Sequence, residues 1–130
     1  MDDLPLTYAC HCLDCQSWSG SAFGLHAMVP ESSITLQGNA SHFRLPVGVE
    51  SMPSDHIGCA SCFTRIANRN SAVPEMLVLR VGTLERSNEV APAAHIWTKR
   101  KQAWIRIEAD VPSFDETPTP QAFAAALAVQ

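Results

Sequence analysis

No apolar run in this chain approaches the roughly 20 residues needed to cross a bilayer. The longest near its end, Ala122 to Val129, falls far short, so no membrane partner is expected. Basic residues are scarce, 9 Lys and Arg against 13 Asp and Glu for a formal net charge of −4. That argues against a general nucleic-acid binder, because phosphate recognition depends on clustered cations. The opening Met1-Asp2-Asp3 is acidic where a secretory leader is basic, and the expected compartment is therefore cytoplasmic, where thiols stay reduced. Internal repeats are lacking, and the only low-complexity stretch is the alanine-rich end. With 130 residues, 46% hydrophobic and 17% charged, the reading that remains is one globular domain over residues 1–130, long enough to bury a core.

Cysteines are few but concentrated. Cys10, Cys12 and Cys15 form C-x-C-x2-C, and Cys59 and Cys62 form C-x2-C. Five is an odd number, so a purely disulfide framework leaves one thiol unpaired. A tight C-x-C-x2-C loop can turn all three sulfurs onto one soft cation, and zinc, which takes thiolates at about 2.3 Å and is usually four-coordinate, is the expected ion. The C-x2-C pair is the usual half of a zinc ligand set, which makes all five cysteines metal-ligand candidates. Buried or redox-active thiols are the alternative. Three ligands leave a coordination position open, whereas recruitment of Cys59 and Cys62 closes the site into a scaffold.

The rest of the chain reads as many short strands. Leu6 to Ala9 is the end of a strand delivering Cys10, and Asp14 to Ser19 is a short helical turn stopped by Gly20. Alternation predicts strands over 23–29, 33–37 and 40–46, successive and antiparallel. Val47 to Asp55 is a loop, and a hairpin follows with Cys59 and Cys62 at its turn and a strand over 63–67. Asn68 to Pro74 is a polar connection. Met76 to Val81, the most continuous apolar run, predicts a central strand buried on both faces. Two more strands are expected over 95–97 and 104–107, on either side of the basic turn Thr98 to Gln102. Residues 111–130 form a Pro- and Ala-rich tail ending in a short helix with Thr119 as N-cap and Pro120 in its first turn. The fold class is mainly β with little helix.

Cys10-His11-Cys12-Leu13-Asp14-Cys15, then Ser19-Gly20-Ser21-Ala22-Phe23, Gly58-Cys59-Ala60-Ser61-Cys62, Val81-Gly82-Thr83-Leu84 and Pro92-Ala93-Ala94-His95-Ile96-Trp97 resemble, in order and spacing, the glutathione-dependent formaldehyde-activating enzyme family, which includes centromere protein V. The resemblance runs from about Tyr8 to about Glu116 and implies a single-domain β-tent, its antiparallel sheets meeting near the cysteine loops. It also implies a catalytic-type zinc on the first cysteine loop and carbon–sulfur lyase chemistry on glutathione adducts. Two departures stand out. Residues 1–9 lack the C-x-C-G strand that in the family completes a structural zinc site with the later C-x2-C pair, and Phe63 stands where glycine is usual. A sheet edge left open at the first strand must be covered, charged or shared, which makes a homodimer one expected solution.

Three thiolates on a divalent ion make a weak Lewis acid, suited less to generating hydroxide than to binding a fourth thiolate. A small-molecule thiol such as glutathione is the expected partner, and its adduct S-hydroxymethylglutathione the expected substrate. Among titratable groups His11 is nearest the ligands and is the candidate acid or base, with a supporting hydrogen bond to backbone as the plainer role. Asp14 comes next, while His56 and His95 read as structural. Ser19, Ser21 and Phe23 are candidate substrate-binding residues, against turn and core roles, and Trp18 is weighed in the same way. Lys99-Arg100-Lys101 either attracts carboxylates or is a solvated turn. Three functions follow: a zinc-dependent carbon–sulfur lyase, a zinc-stabilised binding module, or a degenerate relative that has lost its metal.

Overall fold

The run Leu77-Val78-Leu79 lies at the middle of the sheet because all three side chains are buried, and only a strand with neighbours on both sides can bury both of its faces. The computed structural model describes residues 4–45, 48–49, 53–70 and 73–128. In chain order the elements are β1 (Tyr8–Cys10), α1 (Leu13–Ser19), β2 (Gly24–Pro30), β3 (Ala40–Leu45), β4 (Ser54–Cys59), β5 (Arg65–Asn70), β6 (Met76–Arg80), β7 (Ala94–Ile96) and α2 (Pro120–Ala128). All seven strands belong to one hydrogen-bonded sheet of order β3-β4-β5-β6-β2-β1-β7. The mainly β, helix-poor fold expected from the sequence is the one observed.

Side chains alternate across this sheet. Val29, Leu77, Leu79, Ala67 and Ile57 stand on one face as an apolar cluster joined by Ile34 and Ala40. Truncating a side chain such as Leu79 to Ala there costs about 2–5 kcal/mol. The other face carries Tyr8 and Cys10, with Cys12, Cys15, Ala94, Ile96 and Ala126 packed beside them. Helix α2 lies over this second face, the Phe123 ring meeting Tyr8 edge-on with centroids 4.9 Å apart. Thr119 caps that helix as expected, its Oγ1 accepting from the Ala122 amide at 3.1 Å.

Four strand expectations are corrected. Residues 33–37 form no strand: a 3-10 turn covers Glu31–Ser33, and of the alternating apolar residues only Ile34 packs inward while Leu36 stays exposed. Consequently β2 and β3 are not successive neighbours; β2 lies between β1 and β6, and β3 is at the far edge. Residues 104–107 likewise pair with nothing, since Trp104 is exposed and Ile105 alone is buried, held by Lys101 Nζ donating to its carbonyl at 2.9 Å. The outer side of β7 is instead met by the tail, with His95 N donating to Pro112 O and Phe114 N to His95 O, both at 2.9 Å. Finally, β1 is not an edge. It pairs antiparallel with β2 and parallel with β7, which removes the premise on which a shared edge with a second copy was expected. Much of the expected loop over 47–55 lies outside the described residues, and β4 already begins at Ser54.

Candidate metal centre

Strand β1 ends in Cys10, the next peptide continues its pairing through His11 N donating to Ile96 O at 3.0 Å, and the chain then turns directly into α1. Cys12 is the N-cap of that helix, its Sγ accepting from the Cys15 amide at 3.3 Å, and Cys15 lies in the first turn. Gly20, in the left-handed conformation at φ 65°, terminates the helix, a position glycine takes without a Cβ penalty. Strand end, N-cap and first turn thus place three buried sulfurs within 4.8 Å of one another. Tetrahedral zinc with bonds of about 2.3 Å sets its sulfurs about 3.8 Å apart, so this donor set fits the ion.

Hydrogen bonding among the sulfurs and burial disfavour their charged forms. Hydrogen bonding to Cys12, together with burial, pushes the Cys10 thiol up to about 12. Hydrogen bonds to Cys10 and Cys12, then burial, push Cys15 upward as well. Buried sulfurs this close cannot all ionise on their own, and a bound cation inverts that preference.

His11 is fully buried, with its Nε2 2.9 Å from His95 Nδ1, its ring beside Phe23, and its Nδ1 buried without a partner. Burial, then the neighbouring His95, pulls its pKa down to about 4. His11 O is held by Gln16 Nε2 at 2.8 Å, and the same amide group reaches Arg100 O at 3.0 Å. Asp14 accepts from the Val49 amide at 2.9 Å, and Gly48 packs so closely on the carboxylate that a Cβ would stand 2.7 Å from it. Ser19 and Ser21 are exposed and shape the turn after α1, Ser19 Oγ lying 3.4 Å from Gln16 O and 3.3 Å from Phe23 O and accepting from Ser21 N at 3.2 Å. Phe23 packs on His11, and Trp18 packs edge-on against His56 with centroids 5.0 Å apart.

Cys59 and Cys62 do not join the three sulfurs. Cys59 ends β4 and is half-buried, whereas Cys62 is exposed in the turn with its Sγ 3.0 Å from Thr64 Oγ1. Hydrogen bonds with Thr64 and with Cys59 pull the Cys62 thiol down from its ordinary value. Phe63 is not yet strand: it sits at φ 64°, the conformation the glycine usual in the family adopts freely, with its ring 85% exposed. Among the described residues no third donor completes a ligand set around this pair.

The face of Cys10 also carries polar groups that no sequence motif marks. Tyr8 pairs with His26, His26 with Arg80, and Asn68 with His56, so these side chains share one face. Gly24 stands opposite Cys10, and the His26 ring fills its clearance, its Nε2 only 2.5 Å from where a Cβ would be. Burial and the Arg80 charge hold His26 down at about 3, and burial with Arg65 holds His56 at about 4. Only strand register brings them to this face. The single available signal was the polar residue interrupting each apolar alternation.

A buried trio of convergent thiols, set between strand and helix in a mainly β fold, defines a protein built around a soft-metal donor set. A family model described as glutathione-dependent formaldehyde-activating enzyme matches residues 1–100, and the chain belongs to that family. Compared with curated proteins, the chain finds no match.

Proposed function

We propose that this protein is a carbon–sulfur lyase acting on glutathione adducts of the S-hydroxymethyl type, with zinc held by Cys10, Cys12 and Cys15. The convergence of three buried sulfurs within 4.8 Å carries the reading, and the family to which the chain belongs supports it. When bound, zinc supplies a soft Lewis acid that stabilises an incoming sulfur as thiolate. Cys10, Cys12 and Cys15 supply only three ligands, and Cys59 and Cys62 stand apart from them. That favours the lyase over a closed four-thiolate binding module. In the release direction the C–S bond breaks with its electron pair remaining on sulfur, and the hydroxyl proton leaves as formaldehyde forms. His11 is the residue of the loop assigned to this proton, because its Nδ1 is uncommitted and its Nε2 contact with His95 Nδ1 fixes the ring in place.

Elemental analysis is expected to give one zinc held by the trio per chain, lost in Cys12→Ser. Formaldehyde release from S-hydroxymethylglutathione is expected to exceed the spontaneous rate and to fall to it in that variant. His11→Gln is expected to keep the metal and lose turnover. Stoichiometric zinc without turnover on a panel of thiol adducts would overturn the lyase and leave the metal site standing.

A further inference from the structure

The hairpin that joins β4 to β5 carries two thiols that the metal reading does not use. Phe63 N donates to Cys59 O at 2.9 Å and Cys59 N to Thr64 O at 2.8 Å, so the chain between the strands makes one closed α-turn. A turn of that kind sets residues three apart on one side. Cys59 and Cys62 share a hydrogen bond across it. Cys62 is exposed, its Sγ 3.0 Å from Thr64 Oγ1, and Cys59 is half-buried behind it. A hydroxyl at that distance donates to a thiolate and favours it over the thiol. An accessible sulfur backed by a second one is the arrangement that exchanges with disulfides.

Cys59 also borders a cavity of about 280 Å³, lined besides by Ser41, Phe43, Gly58, Phe63 and Arg65. Phe43 and Phe63 give it aromatic walls, and both rings are exposed. Arg65 supplies its positive charge, with the guanidinium 5.7 Å over the Phe43 ring, Nη2 meeting His56 Nδ1, and Nε buried without a partner. The lining holds no carboxylate, and Arg65 belongs to none of the ion pairs among the described residues, Arg44–Asp55, Arg69–Glu31, Arg86–Glu89 and Lys99–Glu116. A cation unmatched by acid, in an aromatic-walled cavity that a thiol borders, fits a small molecule carrying both carboxylate and sulfur.

We propose that Cys62 and Cys59 form a redox-active dithiol that exchanges with a low-molecular-weight disulfide bearing carboxylates, of the glutathione disulfide kind, seated against Phe43, Phe63 and Arg65. Cys62 Sγ attacks one sulfur of the small disulfide, the S–S bond breaks with its electron pair on the departing sulfur, and that thiolate takes up the proton given up by Cys62. Cys59 Sγ then attacks Cys62 Sγ, closes the Cys59–Cys62 bond and releases the second small thiol with the proton from Cys59. Two protein thiols are oxidised to one disulfide and one small disulfide is reduced to two thiols. Neither cysteine belongs to the trio, so the exchange does not depend on the zinc reading above.

In the test, the full chain as purified is equilibrated against glutathione and glutathione disulfide in varied ratio, quenched in acid, alkylated and mapped by mass spectrometry. A Cys59–Cys62 disulfide is expected to grow with the share of disulfide and to revert in excess thiol. Cys59→Ser is expected to stop at the glutathione mixed disulfide on Cys62, and Cys62→Ser to leave Cys59 unmodified over the same time. Arg65→Gln is expected to slow the first step about 10-fold with glutathione disulfide, as loss of one charged hydrogen bond does, and to leave the rate with 2-hydroxyethyl disulfide, which has no carboxylate, unchanged. Should Arg65→Gln not fold, the wild-type chain carries the comparison: added salt should slow exchange with glutathione disulfide and spare the uncharged one. A pair that stays reduced at every ratio, a mixed disulfide that settles first on Cys59, or oxidation confined to Cys10, Cys12 and Cys15 would overturn the dithiol. Equal responses of the two disulfides would overturn the seat beside Arg65. Zinc that persists in Cys12→Ser and shields Cys62 from alkylation would make the pair a metal site and overturn the proposal as well.

Discussion

The two cysteine groups of this protein contain the same C-x2-C spacing and end in different physical states. Cys12 and Cys15 are buried at a helix start with Cys10 brought in by a strand, and the thiols of Cys10 and Cys15 are pushed toward the neutral form. Cys59 and Cys62 occupy a hairpin turn, with Cys62 exposed and its thiol pulled toward the thiolate. Spacing alone therefore does not make a metal site. A third donor and burial distinguish the first group: the donor comes with the C-x-C-x2-C spacing, and the burial from where β1 is placed in the sheet.

The largest expected contrast is between Cys12→Ser and Cys62→Ser. The first should abolish zinc at the trio and with it adduct turnover, while the second leaves both in place; equal losses in metal analysis would show that the groups act as one. In the metal-free protein, mass-resolved alkylation with iodoacetamide near neutral pH should mark Cys62 first and the trio last.

Acid should destabilise the sheet through its buried histidines, His11, His26 and His56. His26 titrates at about 3 and His11 and His56 at about 4 in the folded chain, against 6.5 ordinarily. The unfolded chain binds these protons first, so the stability they contribute is complete above pH 6.5 and is lost progressively as pH falls from there toward 3. His26 alone accounts for a loss on the order of 5 kcal/mol. Denaturant midpoints of the metal-free protein across that range should decline, and the decline should flatten in His26→Phe.

Gly24→Ala sharpens the comparison at smaller scale. The added methyl drives into the His26 ring beside Cys10, and a destabilisation of about 1–3 kcal/mol is expected by thermal unfolding. The smallest effect belongs to the hairpin. Phe63→Gly removes a side chain from a left-handed position whose strain is about 1–2 kcal/mol, and glycine's own entropy cost of about 0.5–1 kcal/mol offsets part of it. A net gain in midpoint, with zinc at the trio unaltered, is the expected result.

What could be read from the chain beforehand was what neighbouring residues decide among themselves. Gly20 ending α1, Thr119 capping α2 and the burial of Leu77-Val78-Leu79 all follow from local backbone preference or an unbroken apolar run. Residues 33–37 and 104–107 misled because alternation reports that one face can be buried, not that a partner strand lies within reach. In each segment one isoleucine, Ile34 or Ile105, accounts for the burial without any pairing.

The sequence by itself determined the thiol trio, since C-x-C-x2-C at a strand end followed by a helix start turns its sulfurs together through backbone geometry confined to six residues. Only the tertiary structure decided what surrounds them. Arg80, Asn68, His56 and Arg65 are scattered through the chain, and the register of three strands, with its shift at Ile57/Gly58, sets them on one face. Register depends on which faces bury and which strands meet, a balance over the whole sheet that no local stretch contains.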